Sequence, residues 1–228
     1  MENKTVVILD TETTGFVEPA LIEAAGIVIK GNPLEEQKTT FISRYNPGKP
    51  ISFGAMATHN ILDSDLIDCP PPSDFKLPDN TAYIVGHNID YDWQVIGKPD
   101  VKRIDTLAMA RAVYPHFDSH SLSALSYALA EPHKRPQIRE ILISRHNALT
   151  DVRLCLDILR RILKENPELN SWGSIWRFSE ESRIPKTMPF GKHKGMAIKD
   201  IPVDYKEWLK KQPDIDEYLL KALDALDA

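Results

Sequence analysis

The chain has 228 residues, with 28 Lys or Arg against 33 Asp or Glu, a formal net charge of −5, and 42% hydrophobic residues. That length can hold one sizeable domain plus a small one and bury a real core, and the acidic balance excludes an unselective, strongly basic nucleic-acid coat. Two cysteines, Cys69 and Cys155, make no disulfide framework and set the expectation of a reducing, cytoplasmic compartment; the apolar run in MENKTVVILD is too short for a signal peptide or a membrane span, so no membrane partner is expected.

Residues 5–10, 21–30 and 38–45 predict three strands, the first two rich in β-branched residues. The first runs into Asp10 and Glu12. Side chains alternate along a strand, so these two acids share a face, an unfavourable pairing unless a cation sits on them or one keeps its proton. SFGAMATHNI (52–61) predicts a short helix and a turn, the proline-rich stretch 68–80 a loop, and TAYIVGHN (81–88) a fourth strand ending at Gly86. Helical spacing follows at 90–96, 105–114 and 121–130, with VKRI (101–104) a short strand between the first two. The strongest helix is 147–164, where Val152, Cys155, Leu156, Leu159 and Leu163 form one apolar stripe. Strands in succession, then strands mixed with helices, predict an α/β layered fold with a mixed sheet.

The composition shifts after residue 165. Over 183–211 eight Lys or Arg face three acids, Asp200, Asp204 and Glu207, which places a domain boundary within 164–186. Trp172, Trp176 and Trp208 read as a small hydrophobic core rather than a stacking platform. Lys192, His193 and Lys194, between Gly191 and Gly195, read either as a nucleic-acid-binding hairpin or as a solvated turn; the spacing is not that of a P-loop.

Further acids stand at the ends of other elements. Asp92 lies in the first turn of the helix after the fourth strand. Asp151 lies just inside the long helix, with His146 before it. Each alone could serve a helix dipole; four carboxylates and a histidine together are better explained by a shared divalent-cation site. Oxygen donors suit Mg²⁺ or Mn²⁺ rather than zinc. Asp90 reads as a solvated helix-start residue, Asp105 as a helix cap or a support behind the site, and Glu23 as structural, or as a carboxylate lying near the site.

Three segments, DTETTG, HNxxYD (His87, Asn88, Tyr91-Asp92) and HxAxxD (His146, Ala148, Asp151), resemble in order and separation the motifs of the DEDDh, or DnaQ-like, 3′→5′ exonucleases, over residues 5–163. The resemblance implies a ribonuclease H-like fold, a mixed five-stranded sheet flanked by helices. It implies two Mg²⁺ ions, replaceable by Mn²⁺, on Asp10, Glu12, Asp92 and Asp151, with His146 as general base. MPFGKHKGMAIKDIPVDYKEWL resembles the C-terminal module of the exonuclease X branch. The implied organisation is an exonuclease domain over 1–164, a linker over 165–186, and a small basic module over 187–228. The resemblance also points Thr13, Thr14 and Gly15 at the 3′ end of a substrate and nominates Ala57, His59 and Ile61 near the terminal base; Asn88 either binds near the sugar or orients its loop, and Phe16 either stacks on a base, wedges between strands or packs into the core. The expected activity is metal-dependent 3′→5′ hydrolysis of DNA to nucleoside 5′-monophosphates, by a monomer or homodimer. The alternatives are RNA trimming by the same machinery or a non-catalytic nucleic-acid-binding accessory.

Overall fold

The computed structural model describes residues 4–31, 38–143 and 147–225. Strands β1 (Thr5–Thr13), β2 (Leu21–Lys30), β3 (Lys38–Arg44), β4 (Thr81–Gly86) and β5 (Lys102–Asp105) make one sheet in the order β3-β2-β1-β4-β5. β1, β2 and β3 pair antiparallel in chain order, whereas β4 and β5 add in parallel on the other side. The mixed five-stranded sheet flanked by helices is therefore present.

β1 is the central strand, and its sequence shows why. Val6, Val7, Ile8 and Leu9 are all buried, so both faces of the strand are covered. Val6 and Ile8 join the main core with the long helix α6 (Ala148–Glu165), while Val7 and Leu9 pack with Ile84 and Ile89 on the opposite face. Each such side chain contributes about 1.5–3 kcal/mol by leaving water. All five stripe positions of α6, Val152, Cys155, Leu156, Leu159 and Leu163, are buried. Asn147 caps the helix by accepting the Leu149 N–H (3.0 Å).

Shorter helices complete the layers: α1 (Phe53–His59), α2 (Asp90–Val95), α3 (Thr106–Val113), α4 (Leu122–Leu129) and α5 (Arg135–Ile143). α5 was not expected; its apolar residues Ile138, Ile141 and Leu142 make only a short stripe, of which Leu142 packs against the main core and none is fully buried. No described helix is long and apolar enough to cross a membrane.

The chain divides into two compact units, Met1–Ser179 and Glu180–Ala228. The stretch 165–186, expected as a linker, instead carries α7 (Trp172–Arg183). Leu169, Trp172 and Ile175 are buried in the main core, and the Trp172 indole donates to the Gly31 carbonyl (2.7 Å). Two of the three tryptophans thus belong to the first unit, with Trp176 packed against its core. The second unit has its own small core of Met188, Ile198, Ile201, Leu209, Leu219 and Leu223, with helices α8 (Val203–Lys210) and α9 (Glu217–Asp224). Trp208 is not in it, being 52% exposed. In this unit Arg183 donates to the Tyr218 hydroxyl (2.6 Å), which donates to Glu180 (3.0 Å).

A chain ending at residue 164 loses Trp172 and Ile175 from the core of the first unit. It should unfold in urea with a loss of at least about 3–5 kcal/mol, the cost of emptying a large buried side chain. A chain ending at 184 should keep most of that stability; equal midpoints for the two truncations would contradict the placement of α7.

Candidate active site

The site lies where β1 outruns its parallel neighbour. Pairing of β1 with β4 stops at Ile8↔Val85, whereas β1 continues to Thr13 alongside β2. The backbone of Thr11 is left facing an absent strand, and Asp92 fills the gap: the Thr11 N–H (2.9 Å) and the Thr11 hydroxyl (2.7 Å) both donate to Asp92 Oδ1. Asp92 sits in the first turn of α2, which comes back to β1 because β4 ends at Gly86 and Ile89 is fully buried beside Leu9. A carboxylate from α2 is thereby seated next to the strand that carries Asp10 and Glu12.

The first turn of α6 reaches the same end of the sheet. α6 packs across β1 and β2, and its Ala148 N–H donates to Glu23 Oε1 (3.4 Å). Glu23 lies opposite Glu12 in the β1–β2 ladder, just before a bulge between Glu12 and Thr13. Asp151, buried, follows Ala148 within that turn, and Cys155 lies one turn further on. The charges of Asp10, Asp105 and Asp92 all reach the Cys155 thiol, which burial, first of all, holds above its ordinary value. Asp10, Glu12, Asp92 and Asp151 thus come from three elements that meet at one end of the sheet. His146 lies outside the described residues.

Burial pushes the Asp92 carboxyl up to about 7; its bonds from Thr11 pull the other way, and the charge of Asp105 adds to the rise. Burial also raises the Tyr91 phenol, helped by the charges of Asp92 and Glu12. Among the described residues, no three His, Cys, Asp or Glu side chains are gathered closely enough to hold a metal ion as they stand. The donor set nonetheless fits a hard cation in its chemistry: every carboxylate offers only oxygen, and a buried acid whose ionisation is opposed is relieved by positive charge.

Neighbouring acids have plainer work. Glu23 is buried and paired with Arg44 (2.8 Å). Asp90, expected to be solvated, pairs with Arg103 (2.7 Å), whose guanidinium lies 4.2 Å from the Trp93 ring centroid. Asp105 caps α3 through the Leu107 N–H (2.8 Å) and also accepts the Asn88 N–H (3.0 Å). His87 is held at both ring nitrogens, by the Thr106 hydroxyl (3.0 Å) and the His120 carbonyl (2.7 Å), and burial lowers its pKa. A histidine so tied is poorly placed to move protons.

The substrate-side nominations separate. The Thr13 hydroxyl is 2.7 Å from the Tyr91 hydroxyl, and Thr14 is closed on itself through Ala20 and through Ser52, whose N–H donates to the Thr14 carbonyl (2.9 Å). Gly15 adopts φ +138°, and a Cβ there would lie 2.7 Å from Ser52 Oγ, so the turn has room for no side chain. Phe16 is 91% exposed, with its ring edge-to-face to Tyr91 at 6.1 Å, which removes the core reading. Ala57 and Asn88 are exposed. His59 and Ile61 are buried: the His59 ring accepts the Ile61 N–H (3.0 Å), and Ile61 packs with Ile22, Ile51 and Leu66. Thr11, Tyr91 and Ser52 were not nominated. Tyr91 was visible inside HNxxYD, whereas Thr11 and Ser52 carry no sequence signal beyond adjacency.

Comparison with known proteins follows the same outline. A family model described as Exonuclease (RNase_T) matches residues 7–159, and one described as a putative quorum-sensing-regulated virulence factor matches residues 181–214. The DNA polymerase III PolC-type protein of Listeria welshimeri is 27% identical over 186 residues, which are 75% of this chain but 12% of that protein. Exodeoxyribonuclease 10 of Escherichia coli K12 is 24% identical over 209 residues, 89% of each chain. Exonuclease X in complex with 5′ overhanging duplex DNA shares the fold, with a TM-score of 0.60 at 22% identity over 76% of this chain and 99% of that one.

The raised carboxyl of Asp92 makes a signed prediction. Its folded value, about 7, exceeds the ordinary 3.8, so Asp92 supports folding while protonated and opposes it once ionised; its contribution worsens from about pH 4 to about pH 7. In EDTA, Asp92→Asn, which keeps an oxygen for both Thr11 donors, should stabilise the protein by about 1–3 kcal/mol at pH 8 and by little at pH 4. Thermal unfolding at the two pH values checks this; a gain independent of pH would refute it.

Proposed function

The chain belongs to the DnaQ-like exonuclease family, and on that premise we propose that it is a metal-dependent 3′→5′ exonuclease acting on DNA ends and releasing nucleoside 5′-monophosphates. The observation that carries this reading is the seating of Asp92 on Thr11, between Asp10 and Glu12, at the strand end that the first turn of α6 also reaches. Asp10, Glu12, Asp92 and Asp151 would hold two Mg²⁺ or Mn²⁺ ions, which, when bound, supply positive charge at the scissile phosphate and acidify a water. The carboxylates' own part is to stay ionised under that charge, Asp92 included.

His146 is assigned the general base. An imidazole with an ordinary pKa of about 6.5 accepts a proton near neutrality, and the only other histidine of these motifs, His87, has both ring nitrogens engaged. The turn after Glu12 receives the 3′ nucleotide. Thr13 and Thr14 have their side chains tied into the fold, so they shape the turn, while Gly15 permits close approach and the exposed ring of Phe16 offers a face to a base. From the 57–61 segment Ala57 is the residue placed for contact; buried His59 and Ile61 would act by holding that segment in position. Asn88, exposed with a left-handed backbone at φ +74°, is assigned to the sugar. Likeness to an exodeoxyribonuclease along 89% of both chains supports DNA as the substrate. Residues 1–179 would form the catalytic part.

Matched DNA and RNA oligonucleotides labelled at the 5′ end, incubated with Mg²⁺, test the reading. The expected product is a ladder shortened from the 3′ end, faster on DNA. His146→Ala should lose about 10²–10⁴-fold in rate, and Asp10→Ala at least as much, both with unchanged circular dichroism. Persisting activity in Asp10→Ala would remove the metal assignment, and faster trimming of RNA would reverse the substrate.

A further inference from the structure

The second unit combines a locally basic stretch with exposed aromatic surface, although its nine Lys or Arg are outnumbered by ten Asp or Glu overall. Residues 182–199 hold five basic side chains and no acid, in a chain whose net charge is −5. They enter a tight turn closed by the Met188 N–H on the Met196 carbonyl and the Gly195 N–H on the Met188 carbonyl (both 2.8 Å). The turn is pressed onto α8. Gly191 adopts φ +71°, and a Cβ there would come within 3.0 Å of the Tyr205 hydroxyl. Lys192 Nζ stands 5.0 Å from the Tyr205 ring centroid, and the His193 ring meets Tyr205 edge-on at 4.7 Å.

Tyr205 and Trp208, three apart on α8, stack on each other at 5.4 Å and 28°. Trp208 is 52% exposed although the adjacent Leu209 is 2% exposed and belongs to the small core. Folding of this unit does not call for an indole in water, since Leu209, Leu219 and Leu223 already fill the interior. Lys210 is neutralised by Asp224 (2.8 Å), whereas Lys192 rests on the ring.

We propose that this face, built on Trp208, Tyr205 and Lys192 together with the exposed Lys194 of the same turn, binds single-stranded nucleic acid. Lysines match a phosphate backbone, and an exposed indole backed by a second ring offers a stacking platform for an unpaired base. A duplex hides its base faces within its own stack, and an acidic peptide or anionic membrane brings charge without a flat π surface to cover the indole. The inference concerns binding alone and does not depend on the hydrolytic reading of the first unit.

The test uses the full chain in EDTA, so that no hydrolysis intervenes, and fluorescence anisotropy of a labelled oligothymidylate. Trp208→Ala should weaken binding about ten-fold, with Trp208→Phe retaining most of the affinity because it keeps an aromatic face. The double variant Lys192→Ala/Lys194→Ala should weaken it comparably and lower the salt slope by about 1.4, two single-strand phosphate contacts. All of these side chains are on the surface, so the unfolding temperature should not move. Wild-type affinity in both Trp208→Ala and the double lysine variant would overturn the proposal. So would an equal loss for a blunt duplex.

Discussion

The two hydrogen bonds from Thr11 to Asp92 close an edge that the sheet itself leaves open. A strand whose partner stops early exposes backbone donors, and in a buried place each unmet donor costs about 1–3 kcal/mol. One answer would be to lengthen β4. The chain instead ends β4 at Gly86, turns into α2, and presents a carboxylate to the vacant side of β1. A structural need for an acceptor and the seating of an acid beside Asp10 and Glu12 are then the same event. Removing Thr11 or Asp92 would disturb both the sheet edge and the position of the acids.

The acids near this end of the sheet divide by what they do for the fold. Glu23 ties the α6 entrance to β2 and is balanced by Arg44; Asp105 organises the start of α3 and the Asn88 backbone; Asp90 locks Arg103 onto Trp93. Asp92 differs because burial opposes its charge despite the two bonds it accepts. Strain of that kind is common where function has been placed over stability.

Much of this was legible in the sequence, for identifiable reasons. The β-branched apolar run in TVVIL marked β1, the alternation of a strand gave the shared face of Asp10 and Glu12, and the 3.6-residue stripe marked α6. Asp105 as a helix cap followed from its position before a helical run. Thr11 was passed over because alternation turns its side chain away from Asp10 and Glu12, and only the unequal lengths of β1 and β4 give it a role. The tryptophans misled for a related reason. Composition placed Trp172 with the basic C-terminal residues, yet it is three-dimensional packing beside Tyr83, at 6.5 Å between rings, that assigns it to the first unit. Asp90 looked solvated because its partner Arg103 is 13 residues away and on another element.

Cys155 has a consequence for handling the protein. Its sulfur lies in the main core, 2% exposed, beside the Thr106 hydroxyl (3.4 Å), with burial and the surrounding carboxylates all favouring the protonated form. A thiol that does not ionise is inert towards maleimides and other alkylating reagents. Cys69, partly exposed, is then the single reactive thiol of the two. The unmodified chain therefore carries a one-position chemical handle, on which a dye or spin label can be mounted without first engineering the other cysteine away.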